Sequence, residues 1–265
     1  MLKYEDIPKI GPEDYSRAIQ TVQDIGVCII VDLPTGPEEL IEFGKKFGPI
    51  SIKPSYGNSV VNREGPFAVL GDVRPLEDLI GKAPRPTQTT SEVPLHTARS
   101  ASDNPCTLFM MLLVSEPSFG PIGNRGESRI ARLADVYELY DQVFPNKLNS
   151  DIAELSSVPI SRSSNSDARP ILHRDNKGKI CLRYWEGIRD DVYRSEVGKP
   201  FLEAFKRFDW ALNHVAIEFM LEKNELIFLD NTSVAHARRS FPLWTRKGEE
   251  IHVSERTIHS VHIDA

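Results

Sequence analysis

The 265-residue sequence predicts a mainly β fold with helical decoration, a sandwich or barrel of short strands. Three observations point there. Strand-length apolar runs separated by turn signals recur through the C-terminal half. Helical periodicity clusters at the N-terminus and in one late insertion. No regular alternation of strands and helices marks a parallel α/β sheet. No linker, charge block, low-complexity tract or repeat divides the chain, so residues 1–265 are read as a single domain.

The elements follow in order. Residues 12–24 form an amphipathic helix, with Tyr15, Ala18, Ile19 and Val22 at helical spacing, ended by Gly26. Residues 27–31 are a short buried strand. A second helix spans 37–47, opened by Pro37-Glu38-Glu39, where proline costs nothing and acids face the positive helix end. Gly48-Pro49 stops it. From Ser51 to about Val93 the pattern is weak and reads as loops and short strands, flexible near residues 81–90. Strands are expected at 108–114 and 126–131, then a helix at Leu133–Val143. Ile160, Ile171, Ile180–Leu182 and Tyr184-Trp185 mark further strands. A helix is expected at 199–213, then strands at 219–221, 225–229 and 251–263.

Composition narrows the function. The net charge of −6 argues against a general binder of nucleic acid or anionic membranes. No apolar run approaches the ~20 residues of a membrane span. Residues 1–15 carry no export signal, and Cys28, Cys106 and Cys181 form no CxxC pair. A cytoplasmic location is therefore expected. Oligomeric state is not legible.

Two of the seven histidines stand out. His96 follows Pro94-Leu95, and His236 follows the run 226–231. They are 140 positions apart (96 to 236) and meet only if the sheet folds back on itself. Their surroundings form an ordered set: Phe47-Gly48-Pro49-Ile50, then Leu95-His96-Thr97, Gly126-Glu127-Ser128, Leu229-Asp230-Asn231 through His236-Ala237-Arg238, and Arg256-Thr257-Ile258-His259. Together these segments resemble the TauD/TfdA and clavaminate-synthase-like iron(II)/2-oxoglutarate oxygenases over most of the chain.

That resemblance implies a double-stranded β-helix (jelly-roll, cupin-like) core. It also implies iron(II) held by His96 and His236, with 2-oxoglutarate and O2 as co-substrates. Arg256 would grip the far carboxylate of 2-oxoglutarate in a bidentate pair, aided by the Ser128 hydroxyl. Outside the resemblance, Arg256 reads as a surface ion pair with Glu250 or Glu255. The second arginine of the family's closing strand is replaced by Ser260.

The sharpest departure is Ala98. The family's iron-binding carboxylate belongs two positions after the first histidine, and alanine has no donor atom. In one reading Ala98 vacates a site for chloride, as in the iron/2-oxoglutarate halogenases, and the enzyme chlorinates an unactivated C–H bond. In a second it is a hydroxylase or other oxygenase, with water, Asp103 or a substrate group in the vacancy, or with Ala98 as a laboratory substitution. In a third it is a non-catalytic ligand-binding relative.

Arg99, Arg162, Arg169, Arg183 and Arg238 lie near the implied pocket and suit a small anionic substrate such as an amino acid or nucleotide. Tyr184 and Trp185 offer a ring-stacking face, with Arg183 and Trp185 on one side of a strand. The bland alternative is solvated arginines and core aromatics. His214, His252, His259 and His262 are expected to pack or hydrogen-bond, and His173 to lie in a polar loop.

Overall fold

The computed structural model describes residues 1–51, 71–73, 89–100, 105–115, 120–161, 168–242, 244–247, 250–253 and 256–264. In chain order the elements are β1 (Lys9–Ile10), α1 (Tyr15–Ile25), β2 (Val27–Ile30), α2 (Pro37–Lys45), β3 (Gly71–Val73), β4 (Val93–His96) and β5 (Leu108–Leu113). Next come β6 (Ser128–Arg132), α3 (Leu133–Val143), α4 (Leu148–Ser157), β7 (Leu172–Arg174), β8 (Ile180–Leu182), α5 (Ile188–Arg194) and α6 (Lys199–His214). The chain continues through β9 (Ile217–Phe219), β10 (Leu226–Asp230), β11 (Val234–Arg238), β12 (Trp244–Lys247), β13 (Glu250–Val253) and β14 (Ile258–Ile263).

Two sheets make the double-stranded β-helix. The larger runs β1-β2-β10-β5-β14-β3 and the smaller β4-β11-β6-β9. Every strand pairing is antiparallel except β1 with β2. Strand alternation sorts the side chains into layers. Cys28, Met110 and Phe228 face outward from the larger sheet onto Ala18 and Val22 of α1 and Leu40 of α2. Ile29, Phe109, Ile227 and Leu229 face inward and meet Ile130 and Val234 of the smaller sheet. Ala131, Ala235 and Ala237 face outward from the smaller sheet onto Val136, Phe205 and Phe208 of α3 and α6.

The first two helices carry the clearest end signals. The Asp14 carboxylate accepts from the Arg17 amide at 3.3 Å, and Gly26 closes α1 at φ 93°, a left-handed turn suited to glycine. Pro37 starts α2, with Glu38 and Glu39 in its first turn and Lys45 in its last. No described helix is long and apolar enough to cross a membrane. No disulfide joins the three cysteines.

Several expectations change. β4 and β11, the strands carrying the two histidines, were not anticipated as strands, nor were α4 and α5 as helices. The expected strand 251–263 is two elements: β13 pairs with β12 in a hairpin, whereas β14 joins the larger sheet. Tyr184-Trp185 is not a strand, so both rings turn into the core beside α6, each 3 % exposed, and offer no stacking face. Phe219 ends β9 rather than starting a strand at 219–221, and His173 lies on β7 rather than in a loop. Most of the weakly patterned stretch after Ser51 lies outside the described residues, as do Asp103, Arg162, Glu249 and Glu255 and the side chains of Glu250 and His252.

Candidate functional site

β4 and β11 pair in the smaller sheet with His236 directly opposite His96. Pro94 has no N–H to donate, and the register slips there, so that Arg238 faces Val93. Leu95 packs outward, which leaves His96 facing the space between the sheets. The two imidazole rings lie 4.2 Å apart, centroid to centroid. Phe109 stacks on His236 at 4.8 Å and touches the His262 ring at the same distance, forming an aromatic floor contributed by β5 and β14.

Hydrogen bonding sets the state of the pair. The Pro94 carbonyl lies 2.9 Å from Nδ1 of His96. A carbonyl only accepts, so Nδ1 donates there and Nε2 is the ring nitrogen left for another partner. Burial, with His96 and His262 nearby, pushes His236 well below the usual imidazole range. It therefore stays neutral, the form that ligates metal. Its Nδ1 is buried with no partner among the described residues.

Ala98 follows in the turn after β4. Its methyl packs with Phe109 and Ile130, and its peptide is held by Asn231. Asn231 Oδ1 accepts from the Ala98 amide at 2.6 Å, while Nδ2 donates to the Ala98 and Cys106 carbonyls at 2.9 and 2.8 Å. Asp230 fixes the same turn. Burial alone would raise its carboxyl, but hydrogen bonds from Lys179, Thr232 and Ser233 outweigh it and hold the group below the usual range.

Arg256 is 3 % exposed, and its Nη1 is buried with no partner among the described residues. Burial, with Arg238 beside it, pushes the guanidinium down to about 9, against a smaller opposing pull from Glu127. Both arginines stand over the Phe241 ring, Arg256 at 5.8 Å and Arg238 at 5.0 Å. Ser128 pairs opposite Arg238 across β6 and β11. Glu127 cannot neutralise this group in full, since its carboxylate accepts from the Gly123 and Arg125 amides and from Arg125 Nε. A buried cation with an unused donor is a ready site for a carboxylate.

The structure thus brings together His96, His236 and Ala98, and groups Arg256 with Arg238, which Ser128 faces across β6 and β11. The other expected arginines are less central. Arg99 adopts a left-handed backbone at φ 55° and donates to the Ser51 hydroxyl. Arg183 is buried within electrostatic reach of His173 on β7. Sequence reading missed Phe109, Phe241 and Asn231 as site builders. It also missed Glu186, whose Oε1 lies 3.6 Å from His96 Nε2. As placed, no three His, Cys, Asp or Glu side chains among the described residues already surround one point.

The donor set fits the groups that such a scaffold holds. Two facing imidazoles suit a first-row transition ion, and the buried guanidinium suits a dicarboxylate co-substrate. Facing histidines inside a double-stranded β-helix, with a buried arginine just before its last strand, fit a non-haem metal-dependent oxygenase. The chain belongs to the taurine catabolism dioxygenase TauD, TfdA family, whose model matches residues 2–254. It is accordingly an iron(II)- and 2-oxoglutarate-dependent oxidoreductase. Arg256 lies just beyond the matched range.

Solved structures share the fold at low identity. An asparagine oxygenase in complex with Fe(II), 2S,3S-3-hydroxyasparagine and succinate is 16 % identical with a TM-score of 0.61, covering 95 % of this chain and 78 % of its own. The non-heme iron oxygenase OrfP with Fe and alpha-ketoglutaric acid is 13 % identical with a TM-score of 0.63, covering 95 % and 78 %. PvcB from Pseudomonas aeruginosa is 17 % identical with a TM-score of 0.62, covering 100 % and 82 %. No curated protein matches the chain in sequence.

Proposed function

We propose that the enzyme hydroxylates a C–H bond of a small amino-acid-like substrate, converting R–H, O2 and 2-oxoglutarate to R–OH, succinate and CO2. The observation that carries this reading is Arg256, a buried guanidinium whose Nη1 has no partner among the described residues, and which Arg238 links through Glu186 to the histidine pair. His96 and His236 would hold the iron through ring nitrogens. Iron, when bound, supplies the centre at which O2 and 2-oxoglutarate react. Arg256 would anchor the distal carboxylate of 2-oxoglutarate, with Ser128 adding a hydroxyl. Phe109, Phe241 and the apolar inner faces of β5 and β10 keep water from the reacting groups.

The substrate class draws support from the neighbours, one holding hydroxyasparagine and another, an OrfP variant, holding (3S)-hydroxy-L-Arg. Among Arg99, Arg183 and Arg238, the position of Arg238 favours a role at the substrate side. It stands within electrostatic reach of Arg256 and Glu186 while its Nη2 holds the Thr89 and Ser91 carbonyls at 2.7 and 2.6 Å.

Ala98 favours a second reading, in which chloride takes the vacant position and the product is chlorinated. Two measurements separate the readings. Anaerobic iron(II) with 2-oxoglutarate is expected to give a visible charge-transfer band, and its absence overturns the oxygenase reading. Turnover of amino-acid candidates in chloride and then bromide is expected to give the same oxygenated mass. Products that follow the halide overturn hydroxylation in favour of halogenation.

A further inference from the structure

Glu186 belongs to none of the segments through which the sequence resembles its family, yet the fold carries it to the histidine pair. The Thr97 amide donates to the Tyr184 carbonyl at 2.6 Å, and the Tyr184 amide donates back to Thr97 Oγ1 at 3.2 Å. These bonds strap the chain before α5 to the end of the strand bearing His96. Trp185 is locked in the core by its own bond, Nε1 to Asp191 Oδ2 at 2.7 Å. Gly187, at φ 79°, makes the left-handed turn into α5. Glu186 sits between these fixed points, with its side chain 21 % exposed beside His96 at 15 %.

The Pro94 carbonyl takes up Nδ1 of His96, so Nε2 is the ring nitrogen turned toward Glu186. At 3.6 Å the Glu186 Oε1 is beyond direct hydrogen-bond distance of that nitrogen, with Arg238 also in electrostatic reach of the carboxylate. Two donors sharing one first-row ion at about 2.0–2.2 Å bonds lie about 3–4 Å apart, which brackets this spacing. The glutamate side chain has freely rotating bonds and partial exposure, so its carboxylate can turn toward a point shared with His236.

We propose that Glu186 is this enzyme's carboxylate metal ligand, supplied from the loop before α5 in place of the one that Ala98 lacks. The inference rests on the oxygenase reading above. It completes a two-histidine, one-carboxylate set for a divalent transition ion and leaves no corner reserved for a halide.

The test uses Co(II) alone, without 2-oxoglutarate, titrated into the full chain and followed by its visible spectrum and by chelator competition. Glu186→Gln is expected to weaken Co(II) binding at least about tenfold and to alter the spectrum. Glu186→Asp, which keeps the carboxylate, is expected to fall between the two. Adding Ala98→Asp to Glu186→Gln is expected to restore affinity. Circular dichroism of the metal-free forms checks folding, and Glu186→Ala carries the comparison if Glu186→Gln fails to fold. Wild-type affinity and spectrum in the folded Glu186→Gln or Glu186→Ala variant overturn the proposal. So does a variant that changes only substrate KM, which would assign Glu186 to substrate. If His96→Ala and His236→Ala also leave Co(II) binding intact, the metal centre itself falls. Loss in the histidine variants alone removes only Glu186.

Discussion

The two sheets face each other across one interior, yet they are made of different residues. The middle strands of the larger sheet are apolar on both faces: β2 reads Val-Cys-Ile-Ile and β5 Leu-Phe-Met-Met-Leu-Leu, and every residue of β10 is buried. The smaller sheet carries His96 on β4, Ser128 on β6, and His236 and Arg238 on β11, interleaved with alanines beneath the helices. The middle of the larger sheet adds apolar packing on both faces to its strand ladders. The smaller one gives several inward positions to ionisable or hydroxyl groups beside Ile130 and Val234, and small outward residues let α3 and α6 approach closely enough to support it. Stability and chemistry are thus divided between facing surfaces of one sandwich, a division that substitutions can break.

The largest expected effect lies on the smaller sheet. His96→Ala should abolish 2-oxoglutarate turnover while shifting the urea midpoint of the metal-free protein little, since the ring is not part of the apolar core. Phe228→Ala on the larger sheet should do the reverse. It should cost about 3–5 kcal/mol of stability in urea unfolding with turnover per folded molecule retained. An equal loss of both properties in either variant would break the comparison. Arg256→Lys should weaken 2-oxoglutarate binding about ten- to a hundredfold, because one ammonium cannot reproduce a bidentate guanidinium, as read by titration of the charge-transfer band.

The smallest effect concerns the turn joining the sheets. The folded Asp230 carboxyl lies below its ordinary value of 3.8. Its stabilisation is therefore complete above that value and drains away as pH falls through the lower folded one. Asp230→Asn should lose about 1 kcal/mol near pH 7 and show a flatter acid limb than wild type below about pH 4, measured by thermal unfolding across pH.

The same contrast explains what the sequence made legible. Residues 27–31, 108–114 and 226–229 announce themselves because strands buried on both faces are unbroken apolar runs. β4 and β11 do not. Val-Pro-Leu-His and Val-Ala-His-Ala-Arg lack strand periodicity, and their conformation comes from pairing with each other and with β6. α4, with Asn, Ser, Asp and Glu among its ten residues, is polar enough to pass for a loop, and is held by Leu155 and by the Asp151 pair with Arg207. In the site, ordered segments that resemble a family point to His96, His236, Ser128 and Arg256 as candidates. Nothing in the sequence points to Glu186, because its position depends on a pair of hydrogen bonds between Thr97 and Tyr184, 87 residues apart.

The pairing of β4 with β11 carries one more consequence. The facing imidazoles come from segments separated by most of the chain, so neither half holds the pair alone. Closing that span is entropically costly, and the long-range contact forms only as the smaller sheet assembles. Any ion that needs both rings therefore binds the native chain and ignores the unfolded one. By mass action it adds RT ln(1 + [L]/Kd) to the folding free energy, about 2.7 kcal/mol at a hundredfold excess over Kd. Metal supply would then set both how fast the enzyme turns over and how much of it stays folded.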